Sequence, residues 1–322
     1  MALLAVEHLR VTYGAVEAVR DVSFELERGE ILGIVGESGS GKSTLGYAIA
    51  KLLRPPGQIA AGRVWFDGVD LVPLRERDLK AIRWRELAVV MQSGMNALNP
   101  VTPIRRQFED AILTHRPMGA QAMRERVREM LALVNIEERY ADHYPHELSG
   151  GMKQRVAIAL ALVLDPKLII FDEPTTALDV VVQRYIVQNL KALRARYHFA
   201  ALFISHDLGT VLEIADRVAV MYGGRLVEIQ DARALLKRPR HPYTQALLRC
   251  FPDPRDERIE VVGIPGTPPD LADLRPGCAF APRCSRAQDR CWQETPAYRA
   301  EADGSGVACH AVQDEEAVHV GH

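Results

Sequence analysis

The residues best suited to chemistry are Gly36-Glu37-Ser38-Gly39-Ser40-Gly41-Lys42-Ser43, which follow the spacing G-x-x-x-x-G-K-S. Glycines let the backbone wrap closely, so that successive N–H groups face phosphate oxygens. Lys42 adds a positive charge for the β- and γ-phosphates, and the Ser43 hydroxyl is a ligand for Mg²⁺. A second constellation, Leu168-Ile169-Ile170-Phe171-Asp172-Glu173, puts two carboxylates at the end of an apolar run. An aspartate there holds Mg²⁺ directly or through water, and the following glutamate polarises an attacking water. Alone, such a pair is more often a solvated strand end; a phosphate loop upstream reverses that balance.

Three further signals are ordinary in isolation. Leu148-Ser149-Gly150-Gly151-Met152 opens a helix, with Ser149 as its cap, and would also make an anion site. His206, in Ser205-His206-Asp207, follows an apolar strand, where a lone histidine is usually a structural hydrogen-bonder. Gln92 follows Val89-Val90-Met91.

The elements needed to position these residues are legible. Ile31-Leu32-Gly33-Ile34-Val35 has the length and continuous apolar character of a buried strand, and Thr44 to Leu53 has helical character until Pro55-Pro56. This is the strand, loop and helix order that the phosphate loop requires. Leu3 to Glu30 is short-strand-like, with alternation in Val22-Ser23-Phe24-Glu25-Leu26, and Gly62 to Asp70 is strand and turn. Residues from about Asn96 to Val163 are mostly helical in pattern. Strands return at Leu168–Phe171 and Ala201–Ser205, separated by a helix-like Val180–Arg196, which implies a mainly parallel α/β sheet.

The chain has 322 residues, 48% apolar and 25% charged, with a formal net charge of -2. It has no basic excess of the kind that nucleic-acid binding uses, so no nucleic-acid partner is expected. Its apolar runs, such as Val156 to Leu164, fall short of the roughly 20 residues that span a bilayer. The first residues lack a basic segment leading into a long apolar one, so a cytoplasmic location is expected, with membrane association through a partner.

In their order along the chain, the phosphate loop, Gln92, Leu148-Ser149-Gly150-Gly151, Asp172-Glu173, Ala177-Leu178-Asp179 and His206 resemble the nucleotide-binding subunits of ATP-binding-cassette (ABC) transporters. The resemblance covers residues 1 to about 235. It implies a P-loop NTPase cassette of α/β class, with a RecA-like parallel core, an N-terminal antiparallel β subdomain and a helical subdomain at about 96–163. Residues 236–322 then form a small cysteine-rich extension. In that family two subunits meet head to tail around two ATP molecules. Carried over by position, Gly36, Ser38, Gly39, Ser40, Gly41, Lys42, Ser43 and Thr44 would bind phosphates, while Ser43, Gln92 and Asp172 would organise Mg²⁺. Glu173 would activate water, His206 would contact the γ-phosphate, and Asp179 would mark the D-loop. Ser149, Gly150 and Gly151 would reach the partner's ATP. Tyr13 is the aromatic candidate for stacking on adenine, with Val19 as an apolar contact. Met152 departs from the family's usual glutamine, which leaves the serine and glycines intact.

Asn96-Ala97-Leu98-Asn99-Pro100, Met152-Lys153-Gln154-Arg155, His241-Pro242-Tyr243-Thr244 and Pro276-Gly277-Cys278 through Pro282-Arg283-Cys284 resemble the dipeptide/oligopeptide/nickel importer branch. Physically, His241-Pro242-Tyr243 is a turn into a packed helix. Cys278, Cys284, Cys291 and Cys309 lie in a stretch of little apolar periodicity, as a staple for a subdomain with little core would. Disulfides are disfavoured in a cytosolic ATPase, and the tight Cys pairing usual for structural zinc is absent. Members of the branch with this tail carry a [4Fe–4S] cluster, which is the expectation here, with zinc or free structural thiols as alternatives. Cys250 is expected to be a small buried hydrophobe. The branch implies two transmembrane permease subunits, a second ATP-binding subunit as a homologous heterodimer partner, and an extracytoplasmic solute-binding protein. It also implies a peripheral place on the cytoplasmic face of the inner membrane. Peptides lead as the solute; nickel, glutathione and oligosaccharides stay open. A soluble ABC ATPase of translation or DNA repair would show tandem cassettes or a long coiled coil, and neither is present.

Overall fold

A computed structural model describes residues 2–92, 97–176, 178–250 and 263–320. In chain order the main elements are β1 (Leu4–Tyr13), β2 (Val16–Leu26), β3 (Ile31–Val35), α1 (Lys42–Ile49), β4 (Gly57–Phe66), β5 (Val69–Asp70), α2 (Glu76–Leu79) and β6 (Leu87–Val90). Next come α3 (Ile104–His115), α4 (Ala120–Leu133), α5 (Gly150–Leu162), β7 (Leu168–Asp172), α6 (Val180–Tyr197) and β8 (Ala200–Ile204). The C-terminal part holds α7 (Leu208–Ile214), β9 (Arg217–Tyr222), β10 (Arg225–Asp231), α8 (Ala232–Lys237), α9 (Pro242–Arg249), β11 (Arg299–Ala300), β12 (Gly306–Val307) and α10 (His310–Val320). The chain separates into two compact units, one of Met1–Leu26, Ile31–Val72 and Ile204–His322, the other of Glu27–Glu30 and Pro73–Phe203.

In the first unit, β2, β1, β4 and β5 form an antiparallel sheet in that order. Leu4, Val6, Leu9 and Val11 of β1 are all buried, and the break from strict alternation after Val6 coincides with register shifts against both neighbours. A second run of strands follows the order β11, β12, β10, β9, β3, with β3 and β9 parallel. Every residue of β3 is buried, as the continuous apolar run requires. Gly33 lets α7 close on this strand, since a Cβ there would lie 2.1 Å from Val211 Cγ1.

The C-terminal part of this unit is organised around polar groups as much as apolar ones. Glu228 of β10 is completely buried, and its carboxylate accepts the backbone N–H groups of Arg240 and His241 at 2.8 and 2.9 Å. His241 caps α9 by accepting the Tyr243 N–H at Nδ1, with Pro242 opening the helix. Burial pushes the His241 imidazolium down to about 3, so the cap is a neutral ring. Beyond α9, Phe280 meets Tyr222 and Tyr243 at ring-centroid distances of 5.2 and 5.3 Å. This aromatic cluster supplies a core for a stretch built of short 3₁₀ turns.

In the second unit, β8, β7 and β6 lie in that order, β6 and β7 parallel, with β7 fully buried. After its polar first turns, which hold Lys153, Gln154 and Arg155, α5 is apolar on every side, and Val156 to Leu164 are all buried, so its second half is a core helix. Among the described residues no helix is long and apolar enough to cross a membrane.

Candidate nucleotide site

The phosphate loop joins β3 to α1 in the first unit. Gly36 has φ +153° and a Cβ there would sit 2.2 Å from Met221 O; Gly41 has φ +96° and its Cβ would sit 2.3 Å from Ala18 O. Both positions therefore exclude any side chain. Gly41 is the N-cap of α1 and no side chain caps that helix, which suits its positive end to a phosphate. Lys42 is only 6% exposed, and its Nζ donates to Gly36 O at 2.7 Å and Glu37 O at 2.8 Å, with Ser40 Oγ at 3.4 Å. Ser38 and Gly39 are exposed at the loop's crest, and Ser43 and Thr44 are half-buried at the helix start.

The loop is also gripped from the C-terminal part of the same unit. The Glu37 N–H donates to Tyr243 Oη at 2.9 Å. Arg283 donates through Nη1 and Nη2 to Glu37 Oε2 and Oε1 at 2.6 and 3.0 Å, and through Nη1 to Tyr222 Oη at 3.0 Å. The hydrogen bond to Glu37 holds the Arg283 guanidinium above its already high range, so it is a permanent cation. Sequence reasoning found Tyr243 and Arg283 only as parts of branch-typical stretches and gave neither a contact with the loop.

His206 is exposed in the turn between β8 and α7. That turn is fixed on both sides: Ser205 Oγ accepts the Asp207 N–H at 3.0 Å, and Asp207 caps α7 by accepting from Thr210 N at 3.2 Å. Tyr13 is half-buried at the end of β1, its ring against the α-carbon side of Gly57, where a Cβ would approach Tyr13 Cε1 to 2.6 Å. Val19 is 0% exposed in β2, where it pairs with Val11 of β1.

The second unit carries the remaining predicted residues. Asp172 closes β7 at 1% exposure, and Glu173 follows at 6% with φ +51°. A left-handed glutamate costs about 1 kcal/mol or more, and such backbones gather where a side chain must be aimed. The Thr176 hydroxyl donates to Glu173 Oε2 at 2.8 Å and fixes the carboxylate. Ser149 is the exposed cap of α5, accepting Met152 N–H at 3.3 Å, and Asp179 is the exposed cap of α6, accepting Val182 N–H at 2.9 Å. Gly151 brings the two helix starts together, since a Cβ there would meet Val182 Cγ1 at 2.9 Å. Gly150 is half-buried at the head of α5, and Gln92 is exposed just after β6. Asn96 and Ala177, used in the motifs above, lie outside the described residues.

Cys278, Cys284, Cys291 and Cys309 are all free thiols. Burial pushes Cys278 up to about 11 and raises Cys284 and Cys309 as well. Each of these three also feels the neighbouring cysteines electrostatically. Among the described residues, however, no three His, Cys, Asp or Glu side chains are placed to hold one metal ion. The expected metal site gains no support from that geometry, and zinc, whose four ligands must converge on one point, is the alternative most directly affected. Cys250 is half-buried rather than buried, at the end of α9 with its Sγ 3.4 Å from Ala246 O.

A family described as ABC transporter matches residues 19–176, and one described as oligopeptide/dipeptide transporter, C-terminal region, matches residues 227–291. The oligopeptide transport ATP-binding protein OppD of Bacillus subtilis is 44% identical over 302 residues, covering 91% of this chain and 84% of that protein. The chain belongs to the ABC transporter family. Within that family the dipeptide transport ATP-binding protein DppD of Escherichia coli is 42% identical over 321 residues, 98% of each chain. Among solved structures, the dimeric ATP-binding cassette MJ0796 in a post-hydrolysis state with ADP and Pi has a TM-score of 0.65 and 30% identity. It covers 71% of this chain and 99% of its own. The fold is the α/β P-loop cassette of ABC ATPases, and the activity is ATP hydrolysis.

Proposed function

We propose that this chain is the ATP-hydrolysing subunit of a peptide importer, working at the cytoplasmic face of the cell membrane. The observation that carries the reading is the pairing, in one chain, of a glycine-gripped phosphate loop with the branch-type C-terminal region at residues 227–291. Relatives alike over nearly their whole length are named for oligopeptide and dipeptide transport.

In the proposed cycle Gly36 to Thr44 hold the phosphates, with Lys42 reaching phosphate oxygens from its seat at the Gly36 and Glu37 carbonyls. Ser43, Gln92 and the buried Asp172 offer hydroxyl, amide and carboxylate oxygens, the hard donors that Mg²⁺ takes, and the ion would neutralise charge on the phosphates. Glu173 accepts a proton from water as the water oxygen bonds to the γ-phosphorus; the bridging bond to ADP breaks and ADP carries away the electron pair. His206 steadies the γ-phosphate, and Tyr13 stacks on adenine. Ser149, Gly150 and Gly151, beside the Asp179-capped helix, serve the ATP of a second, homologous cassette; the dimeric state of the solved cassette supports that arrangement. Closure of the pair drives two permease subunits, fed by a solute-binding protein outside. The test is reconstitution of these components in vesicles: di- and oligopeptides stimulate ATP hydrolysis and accumulate inside. Stimulation by nickel, glutathione or oligosaccharide in place of peptides would overturn the peptide assignment.

We further propose that Cys278, Cys284, Cys291 and Cys309 hold a [4Fe–4S] cluster. Their number and thiol chemistry support it, since four cysteine thiolates are the ligand set of such a cluster. Anaerobically purified protein is expected to contain iron and acid-labile sulfide in equal amounts, lost together in a Cys284→Ser variant; zinc without iron would refute this.

A further inference from the structure

Glu37 is held by all three of its polar groups. Its N–H donates to Tyr243 Oη at 2.9 Å, its carbonyl accepts Lys42 Nζ at 2.8 Å, and its carboxylate takes both forks of Arg283 at 2.6 and 3.0 Å. The arginine is no loose surface partner. Its side chain is 5% exposed, its Nε donates to Pro265 O at 2.8 Å, and its Nη1 also reaches Tyr222 Oη at 3.0 Å. A bidentate guanidinium–carboxylate pair, its arginine nearly inaccessible and its glutamate 23% exposed, fixes direction as well as distance. The carbonyls of Gly36 and Glu37 in turn define where the Lys42 ammonium sits, at 2.7 and 2.8 Å. The chain of contacts thus runs from the cysteine segment, where Arg283 directly precedes Cys284, through Glu37 to the lysine of the phosphate loop.

We propose that Arg283 is a positioning residue for the phosphate loop: by fixing Glu37 it sets the place of the Lys42 ammonium and so tunes the affinity for a nucleoside triphosphate. This rests on the loop being the ATP site. A loop ordered before its ligand arrives loses less freedom on binding, and that saving appears as affinity. If the pair served only to fasten the C-terminal segment, its loss would lower the unfolding temperature and leave the affinity of the folded protein unchanged.

The experiment uses the full chain with a non-hydrolysable ATP analogue and Mg²⁺, following Kd by calorimetry and unfolding without nucleotide in parallel. Arg283→Gln and Glu37→Gln are each expected to raise Kd about tenfold, the scale of one lost charge-assisted contact. The double variant is expected to be no worse than either single one, because both remove the same link. Arg283→Lys restores part of the loss, as a charge without the planar fork. Single variants within twofold of wild type, or losses that simply add, would overturn the proposal. Should Arg283→Gln not fold, Glu37→Gln alone decides, with the same thresholds. A Lys42→Ala control that binds like wild type would instead defeat the assignment of the loop as the ATP site.

Discussion

Replacing Glu173 by glutamine is expected to lower kcat for ATP hydrolysis by at least about a hundredfold, the lower range of what a positioned general base supplies. ATP affinity should stay within about threefold, since ground-state binding does not use this group. The substitution is close to isosteric at a 6% exposed site. An amide oxygen still accepts the Thr176 hydroxyl now 2.8 Å from Oε2, so the side chain keeps its aim and loses only its basicity. Phosphate release, measured beside nucleotide binding, separates the two quantities, and two bound nucleotides per closed pair of cassettes should accumulate. Hydrolysis at the wild-type rate would remove Glu173 from the mechanism.

Lys42→Ala is expected to weaken ATP binding by at least about a hundredfold, near 3 kcal/mol, the sum of lost charge-assisted contacts to phosphate and lost order in the loop. The second part follows from the lysine's present partners, Gly36 O and Glu37 O, which it draws together at 2.7 and 2.8 Å. Lys42→Arg should not rescue, because a planar fork cannot occupy a site shaped by converging carbonyls around an ammonium. Calorimetric titration with circular dichroism as a folding control checks this. Binding within threefold of wild type would show that the loop is not the phosphate site.

Much of this is legible in the sequence, for reasons that differ by residue. The runs Ile31–Val35 and Leu168–Phe171 are short and apolar without alternation, as a strand buried on both faces requires. Ser149 and Asp179 stand where helix starts leave N–H groups unsatisfied, so their capping roles follow from local rules. Arg283 and Glu37 obey no such rule, since partners 246 positions apart leave no periodicity to read. The full burial of Val19 was equally unreadable, because nearness in sequence to Tyr13 says nothing of side-chain direction across a strand pair. The left-handed backbone of Glu173 was equally hidden: its residue type carries no conformational warning, unlike the glycines of the phosphate loop.

The clamp on Glu37 also has a consequence in time. As the chain is synthesised from its N-terminus, β3, the phosphate loop and α1 emerge long before Arg283, and until that arginine is made the loop carries its lysine without its outer brace. A shortened chain ending before residue 264 would keep every motif that marks an ATPase and still lack the guanidinium that steadies the first of them. If Arg283 positions the loop as proposed, maturation of the nucleotide site is tied to completion of the C-terminal segment, and premature termination yields a cassette with loosened hold on its fuel.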